Sequence, residues 1–239
     1  MAQRLEEVTA AILAGGLGTR LRSRIADRPK VLAPVHGRPY LTYLLDQLAD
    51  AGLRSVVLLT GYLAGQIRSA FGDSYAGLRL TYSSEPSPLG TAGALRQALP
   101  HLLSSTILLL NGDSFCEAPL DDFHDFHSYR SADISLVLTR LEDGSRYGRV
   151  KLAPNSRVLC FEEKTQAGGP GWINAGIYLI QRELIEEIPL GRPLSLERDL
   201  FPGWVSRKRF CGFTCAGRFL DIGTPESYAQ SETFFAPIP

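Results

Sequence analysis

An apolar run that gives way to a glycine-rich loop is the feature that most constrains how this chain folds. Residues 8–14 form the apolar run and indicate a buried strand, and residues 15–18 read Gly-Gly-Leu-Gly. A loop with so few side chains exposes its backbone N–H groups to whatever lies on it. Arg20 and Lys30 follow closely and supply two cations, which suit a polyphosphate. The sequence therefore predicts a strand that presents a phosphate-binding loop.

Strand-like and helix-like segments alternate through the first half of the sequence. The strands are expected at residues 8–14, 55–60, 78–83 and 106–110, and the helices at 39–52, 63–71 and 91–103. This order favours a mostly parallel sheet with helices on both faces. Ligands of such sheets bind at the carboxyl ends of the strands. Because the glycine loop follows the first strand and residues 111–113 follow the fourth, both are expected at the same edge of the sheet.

The second half is richer in β-structure. Strands are expected at residues 134–140, 148–152, 158–162, 173–180 and 219–222, and helices at 120–130, 195–205 and 225–235. Ser195 and Thr224 are suited to begin the last two helices, because their hydroxyl oxygens can accept a hydrogen bond from the first helical turn. We expect the half at residues 116–239 to pack against the half at residues 1–115.

The composition excludes several classes of function. The 239 residues include 25 Lys and Arg and 25 Asp and Glu, so the formal net charge is zero. A chain without net charge has no general attraction to nucleic acid or to an anionic membrane. The sequence shows neither an apolar run of membrane-spanning length nor a signal peptide. With four scattered cysteines that suit a reducing compartment, these features predict a single cytoplasmic domain over residues 1–239.

The glycine loop belongs to neither of two common phosphate-binding motifs. A P-loop would end in Gly-Lys-Ser/Thr, and a dinucleotide fingerprint has a different glycine spacing. The string LAGGLGTRL, followed by RPKVLAPV, closely resembles the N-terminal signature of the sugar-1-phosphate nucleotidyltransferases, and the resemblance extends from residue 10 to about residue 228. It implies the α/β class: a Rossmann-like, three-layer α/β/α fold with a mixed, mainly parallel sheet, as in GT-A-like nucleotidyltransferases. Residues 1–115 would then be the nucleotide-binding half and residues 116–239 a β-richer sugar-binding half.

In that family the glycine loop wraps the phosphates of the nucleotide. The resemblance implies nucleotide contacts at Leu13, Gly15, Gly16, Gly18 and Thr19, and catalytic cations at Arg20 and Lys30. Glycines also end strands for purely structural reasons, so a short glycine motif would carry little weight. The length of the matching string favours the functional interpretation.

Residues 84–95 follow the third strand and open a helix. The pattern alone also fits an ordinary strand–turn–helix with small residues for close packing. It resembles the base-reading segment of the family, and its Leu-Gly-Thr-Ala-Gly string is most similar to the guanylyltransferases. The nucleotide contacts that this resemblance implies are Glu85, Pro88, Gly90 and Thr91.

The identity of the nucleotide base is predicted from Glu85. Guanine presents N–H donors along its Watson–Crick edge, and an ionised carboxylate only accepts hydrogen bonds. Thymine and uracil place two carbonyl acceptors around one N–H, which a glutamine suits better. We therefore predict GTP as the nucleotide, with another NTP left open.

Two aspartates each follow an apolar strand. An aspartate at a strand end is often only a turn former, but Asp113 and Asp221 both match family motifs that hold Mg²⁺ between the NTP and the sugar phosphate. Mg²⁺ favours one or two carboxylates together with phosphate oxygens and water. We predict both as metal ligands and Asp113 also as a catalytic residue. His124 and His127 have a spacing that a metal would tolerate, but we assign them to a half-exposed helix face.

The sugar side is assigned by resemblance alone. The segments around Tyr147, Phe161 and Trp172 resemble the pocket of the family that binds the sugar phosphate. The residues that match its contacts are Gly148, Glu163, Lys164 and Asn174. Without the resemblance, Glu163 and Lys164 would be interpreted as a solvated charge pair.

The resemblance implies D-glycero-α-D-manno-heptose 1-phosphate as the sugar substrate. Residues 146–150, 195–199 and 219–226 look like the short guanylyltransferases that act on it. Mannose 1-phosphate lacks only the extra hydroxymethyl arm and stays open as an alternative. A nucleotidyltransferase for a non-sugar phosphate such as phosphocholine and a regulatory subunit that has lost catalysis are further alternatives. The sequence leaves a homo-oligomer open.

Overall fold

A ten-stranded sheet joins the two halves of the chain in the computed structural model, which describes residues 4–21, 25, 27–142, 147, 149–162 and 169–236. Its strands and those of two small hairpin-like sheets are β1 Thr9–Ala14, β2 Pro34–Val35, β3 Arg38–Pro39, β4 Ser55–Thr60, β5 Ser74–Tyr75, β6 Leu78–Ser84, β7 Thr106–Asn111, β8 Ser114–Cys116, β9 Ile134–Leu141, β10 Arg149–Leu152, β11 Val158–Glu162, β12 Gly171–Gln181, β13 Phe210–Cys215 and β14 Phe219–Asp221. The α-helices are α1 Leu41–Asp50, α2 Ala64–Phe71, α3 Gly90–Ala98, α4 Leu120–Tyr129, α5 Arg182–Glu186, α6 Phe201–Arg207, α7 Pro225–Ala229 and α8 Ser231–Phe234.

The centre of the sheet is parallel, as the alternating pattern predicts. Strands β7, β1, β4 and β6 lie side by side in parallel. Leu13 is in register with both Leu59 and Asn111, so these strands end at the same level. The loops that follow them must therefore meet at one edge of the sheet.

Side chains of the central strands alternate between two apolar cores. On β1, Ala10 and Ile12 face the core that contains Leu44 of α1. Ala11, between them, faces the other core, which contains Leu95 of α3. This alternation places helices on both faces of the sheet. It confirms the predicted three-layer α/β/α arrangement.

The second half extends the sheet in antiparallel fashion. β12 is antiparallel to both β7 and β9, and β13 lies parallel to β9 on its far side. The hairpin of β10 and β11 joins the sheet where Arg149 meets Ile173. The sequence analysis did not predict β8 or β13. β8 is only three residues long, and its antiparallel partner β14 comes about a hundred residues later, a pairing that local patterns do not reveal.

Three of the expected helices end or divide at prolines, glycines and caps. The helix expected at residues 91–103 stops at Ala98, and a 3₁₀ turn that contains Pro100 follows it. The helix expected at residues 195–205 begins with a π-helical turn capped by the Ser195 hydroxyl and continues as α6. Thr224 caps α7 as predicted, although the expected long helix is divided into α7 and α8. No helix of the described chain is long and apolar enough to cross a membrane.

His124 and His127 differ from their expected half-exposed positions. Their exposed fractions are 6% and 2%. The Nδ1 atom of His127 lies 2.9 Å from the Ser135 hydroxyl, and its Nε2 atom lies 2.9 Å from the Gln181 amide nitrogen. Burial lowers the pKa of His127 to about 4, so the ring is neutral. The prediction failed because α4 packs its His127 side against β9, a contact that the acidic helix sequence does not reveal.

Candidate active site

A cavity of about 310 Å³ opens at the carboxyl ends of β1, β4, β6 and β7. Its position follows from the common level at which the parallel strands end, where ligands of such sheets bind. Nine of the residues predicted to bind or react line it: Leu13, Gly15, Gly16, Lys30, Glu85, Pro88, Gly90, Thr91 and Asp113. The motifs from three separate parts of the sequence thus meet at one place.

Close backbone packing explains why glycine occupies several rim positions. A Cβ atom at Gly15 would lie 2.7 Å from Oε1 of Glu85, and one at Gly61 would lie 2.9 Å from the same oxygen. The N–H of Gly112 donates to the carbonyl of Leu13 over 3.0 Å, so the loop after β7 lies directly on the end of β1. At Gly16 a Cβ atom would meet nothing within 4 Å. Gly15 therefore makes room for Glu85, whereas Gly16 faces open space.

Lys30 and Asp113 form an ion pair in the cavity. The Lys30 ammonium donates to Oδ2 of Asp113 over 2.7 Å, and the Lys30 side chain is only 10% exposed. Lys30 opens a 3₁₀ turn after Pro29, and Asp113 follows β7. The structure thus holds a cation and a carboxylate side by side at the end of the first strand.

Asp221 is brought next to Asp113 by the short β8–β14 ladder. In that ladder Asp221 pairs with Ser114, and the N–H of Ile222 donates to the carbonyl of Asp113 over 2.9 Å. Burial and the nearby carboxylates of Asp113 and Asp221 raise the pKa of Tyr40 well above its usual value. Both acids therefore lie near the same buried phenol, and Asp113 itself lines the cavity.

The donor set at these two aspartates fits Mg²⁺. Among the described residues, no group of three or more His, Cys, Asp or Glu side chains could hold a metal by itself. Mg²⁺ does not require such a group, since it is usually held by one or two carboxylates plus phosphate oxygens and water. The Tyr40 hydroxyl is buried near both acids and has no hydrogen-bond partner among the described residues. It is therefore available to bind a group held beside the two aspartates.

Glu85 enters the cavity from the end of β6. Its backbone N–H donates to the carbonyl of Thr60 over 2.9 Å, which continues the β4–β6 ladder by one residue. Its Oε2 accepts from the N–H of Leu89 over 2.9 Å, and its Oε1 faces the glycines described above. Partial burial raises the pKa of the Glu85 carboxyl, and the bond from Leu89 opposes this effect. The side chain is therefore a positioned acceptor with one oxygen turned toward the glycine loop.

Five of the predicted residues that the structure describes do not line the cavity: Gly18, Thr19, Arg20, Asn174 and Asp221. Gly18 has a φ of 59° and turns the loop toward Lys30, while Thr19 and Arg20 are exposed on the 3₁₀ turn that follows. Asn174 lies on β12, where its amide nitrogen donates to the Tyr178 hydroxyl. The remaining three predictions, Gly148, Glu163 and Lys164, lie outside the described residues.

The structure also adds residues that sequence reasoning did not assign to the site. They are mainly apolar or backbone contributors: Ala14, Leu17, Val31, Leu59, Ala94, Asn111 and Gly112. Their patterns indicate core or strand-end positions, and the sequence has no signal that separates a core leucine from one at a cavity wall. Asn111 could have been found, since it stands directly before the Gly-Asp string at the end of a strand.

The fold and this site define a class of enzyme. The family model described as "Nucleotidyl transferase" matches residues 9–236. The chain belongs to that family. Its fold is accordingly that of a nucleotidyltransferase.

Individual proteins are similar to this chain over nearly its full length. The chain is 35% identical to the D-glycero-alpha-D-manno-heptose 1-phosphate guanylyltransferase of Aneurinibacillus thermoaerophilus, over 93% of this chain and 96% of that protein. It is 38% identical to the mannose-1-phosphate guanylyltransferase of Mycobacterium tuberculosis, over 94% of this chain but only 63% of that protein. The crystal structure of HddC from Yersinia pseudotuberculosis complexed with GMP-PN superposes with a TM-score of 0.85 at 31% identity, and the match covers 95% of this chain and 99% of that one.

Proposed function

We propose that the protein transfers a GMP group from GTP to D-glycero-α-D-manno-heptose 1-phosphate and releases pyrophosphate. The observation that carries the proposal is the cavity in which Glu85, Lys30 and Asp113 meet. The match to a heptose 1-phosphate guanylyltransferase over nearly the full length of both chains supports the choice of substrate. The similar HddC structure with a bound guanine nucleotide analogue supports the choice of nucleotide.

The nucleotide would lie along the rim from Glu85 to the glycine loop. Glu85 would accept hydrogen bonds from the N–H groups of guanine, and Pro88, Gly90 and Thr91 would border the base. The backbone of Gly15, Gly16 and Gly18 would carry the phosphates, with Leu13 and Thr19 beside them. These residues come from the end of β1 and the loop after it and from the segment between β6 and the start of α3.

The reaction is an in-line displacement at the α-phosphorus. A phosphate oxygen of the sugar phosphate forms a new bond to the α-phosphorus while the bond from that phosphorus to the bridging oxygen of pyrophosphate breaks. Such transfers depend on positioning and charge neutralisation rather than on a covalent enzyme intermediate. Lys30, fixed by Asp113, would neutralise the reacting phosphates, and the exposed Arg20 would do so for the departing pyrophosphate.

We assign Mg²⁺ to Asp113 and Asp221. When bound there, the ion would neutralise phosphate oxygens of both substrates. The β8–β14 ladder supports the assignment, because it pairs Asp221 with Ser114, the residue directly after Asp113, and so brings the two aspartates to neighbouring backbone positions.

The sugar side is assigned to Gly148, Glu163, Lys164 and Asn174. Lys164 would hold the phosphate of the sugar, and Glu163 would accept a sugar hydroxyl. The free thiols of the four cysteines support a reducing compartment, which we take to be the cytoplasm.

Mannose 1-phosphate is the second candidate substrate. The 38% identity to a mannose-1-phosphate guanylyltransferase favours it, although this chain spans less than two thirds of that protein. The two sugars differ by one hydroxymethyl arm, so a single pocket could discriminate between them only modestly.

A panel of substrates tests the proposal. Pyrophosphate release is measured for GTP, ATP, UTP and dTTP, each with heptose, mannose and glucose 1-phosphates and with phosphocholine. We expect the highest kcat/KM for GTP with the heptose. The highest kcat/KM with mannose 1-phosphate would transfer the assignment to the second candidate. Turnover only with phosphocholine, or none with any pair, would contradict both.

A further inference from the structure

A strap formed by residues 192–200 crosses the N-terminal end of α3, next to the predicted base site. The carbonyl of Leu194 accepts from the N–H of Ala92 over 2.9 Å, and the N–H of Leu194 donates to the carbonyl of Leu89 over 2.8 Å. A Cβ atom at Gly90 would lie 2.5 Å from the Leu194 carbonyl oxygen, so the two backbones are in direct contact. The strap therefore fixes the loop that carries the base-side residues.

Glu197 of this strap accepts hydrogen bonds from three hydroxyl groups. Its Oε2 accepts from Thr91 over 3.1 Å and from Ser195 over 3.0 Å. Its Oε1 accepts from the hydroxyl of Tyr178 over 3.0 Å. A carboxylate with both oxygens engaged by neutral donors is a strong local organiser, because charge-assisted hydrogen bonds are about twice as strong as neutral ones.

The Tyr178 bond extends the network to the sugar side. Tyr178 is fully buried on β12, and burial together with the Glu197 carboxylate raises the pKa of its hydroxyl well above the usual value. The hydroxyl is therefore a neutral donor toward Glu197, and it accepts from the amide nitrogen of Asn174 over 2.8 Å. The other amide atom of Asn174 accepts from the N–H of Gly176 over 3.0 Å, so the orientation of the amide is fixed.

The two oxygens of Glu197 thus serve the two different sides of the site. Oε2 accepts from Thr91, which lies at the N-terminal end of α3 and lines the cavity. Oε1 holds Tyr178, which orients Asn174 of the predicted sugar side. A carboxylate that only stabilised the strap would need no contact with β12, since Ser195 and the backbone of the strap already cap its helical turn.

We propose that Glu197 is a positioning residue that couples GTP binding to sugar 1-phosphate binding. It acts through Thr91 on the base side and through Tyr178 and Asn174 on the sugar side, and it touches neither substrate. The proposal rests on the proposed function and goes beyond it, because it names a shared support for two binding sites. Loss of the Oε1 bond should weaken sugar binding alone, and loss of the carboxylate should weaken both.

The test is steady-state kinetics with GTP and heptose 1-phosphate on purified variants. Glu197→Gln should raise both KM values about tenfold, because an amide cannot accept at both ends. Tyr178→Phe should raise the KM for the sugar phosphate about tenfold and leave the KM for GTP within about twofold. The matched control is Asp199→Asn, an acid-to-amide change in the same strap, whose carboxylate accepts from the N–H of Ser195 and from the guanidinium of Arg198. It should leave both KM values within about twofold.

The results distinguish three cases: Glu197 couples the two binding sites, Glu197 only stabilises the fold, or the proposed function itself is wrong. A lower melting temperature with both KM values unchanged in Glu197→Gln would show a structural residue and overturn the proposal. If Glu197→Gln does not fold, Tyr178→Phe decides: an unchanged KM for the sugar phosphate overturns the coupling. Wild-type protein that releases no pyrophosphate with any substrate pair would overturn the proposed function and the coupling with it, whereas active wild type with unaffected variants overturns the coupling alone.

Discussion

Polar side chains are used differently at the rim of the cavity and in the second half of the chain. At the rim, Asn111 Oδ1 and the Tyr40 hydroxyl are buried without a hydrogen-bond partner among the described residues. In the second half, both ring nitrogens of His127 have partners within the chain. Buried polar groups are normally satisfied, so an unpartnered polar atom in the wall of a cavity is available to a bound molecule.

The difference separates residues that serve binding from residues that serve the fold. Four buried polar atoms in the described part of the chain have no partner. Asn111 Oδ1 belongs to a residue that lines the cavity, and the Tyr40 hydroxyl lies near Asp113, which also lines it; the other two are Gln47 Oε1 and Arg130 Nε. Substitutions of the polar side chains at the rim should therefore reduce activity and spare stability. Substitutions in the closed pairs of the second half should reduce stability and spare the chemistry at neutral pH.

Lys30→Ala should have the largest effect and tests the rim. The ammonium beside Asp113 is lost, and kcat/KM should fall on the order of 10²–10³, with little change in melting temperature. Lys208→Ala is the control, since Lys208 is also an ion-paired lysine, 2.6 Å from Glu187, and does not line the cavity. Near-normal turnover in Lys30→Ala, measured as pyrophosphate release, would remove Lys30 from the mechanism.

Gly90→Ala tests the contact between the rim and the strap. Gly90 has a φ of 69°, and a Cβ atom there would lie 2.5 Å from the Leu194 carbonyl oxygen. Strain and collision together should lower the free energy of unfolding by roughly 2–4 kcal/mol in urea denaturation. At Gly65 in α2 a Cβ atom meets nothing within 4 Å. Gly65→Ala should therefore raise the free energy of unfolding by roughly 0.5–1 kcal/mol. Equal effects of the two changes would be incompatible with the described packing.

His127 tests the closed pairs of the second half through pH. Its pKa is about 4 in the folded protein and about 6.5 in the unfolded chain, so the unfolded chain binds an extra proton between these values. Stability should therefore fall as the pH is lowered, by roughly 2 kcal/mol between pH 7 and pH 5. His127→Gln should remove this part of the pH dependence, whereas the same change at the exposed His101 should not. The measurement is the free energy of unfolding at pH 7 and at pH 5 for each variant. If His127→Gln shows the same change between the two pH values as the wild type, His127 is not the source of the pH dependence.

Glu85→Gln should have the smallest effect and sharpens the assignment of the base. Without the ionised carboxylate, the preference for GTP over UTP should fall about tenfold. Because burial raises the pKa of Glu85, the KM for GTP should rise on acidification at a higher pH than an ordinary glutamate would give. Glu85→Gln should lack this rise, and Glu187→Gln, far from the cavity, should keep it. A base preference that is the same in both variants would exclude Glu85 as the reader of the base.

The meeting of these motifs at one cavity was predictable because the sequence signals for it are local. The glycine loop, Glu85 and Asp113 each follow a strand whose apolar run is clear, and parallel order alone brings strand ends to one edge. The second half was less predictable. The pairing of β8 with β14 and the burial of His127 depend on contacts between distant segments. The network of Glu197 likewise joins residues that lie up to 106 positions apart, and only the folded chain reveals it.

Direct titration of the protein with nucleotides tests the central claim, that the rim of the parallel strands is a guanine nucleotide site. Dissociation constants for GTP, ATP, UTP and dTTP are measured by calorimetry for the wild type and for Glu85→Gln. The account predicts that the wild type binds GTP at least about tenfold more tightly than UTP or dTTP and that Glu85→Gln loses most of this difference. Equal affinity of the wild type for all four nucleotides would contradict it.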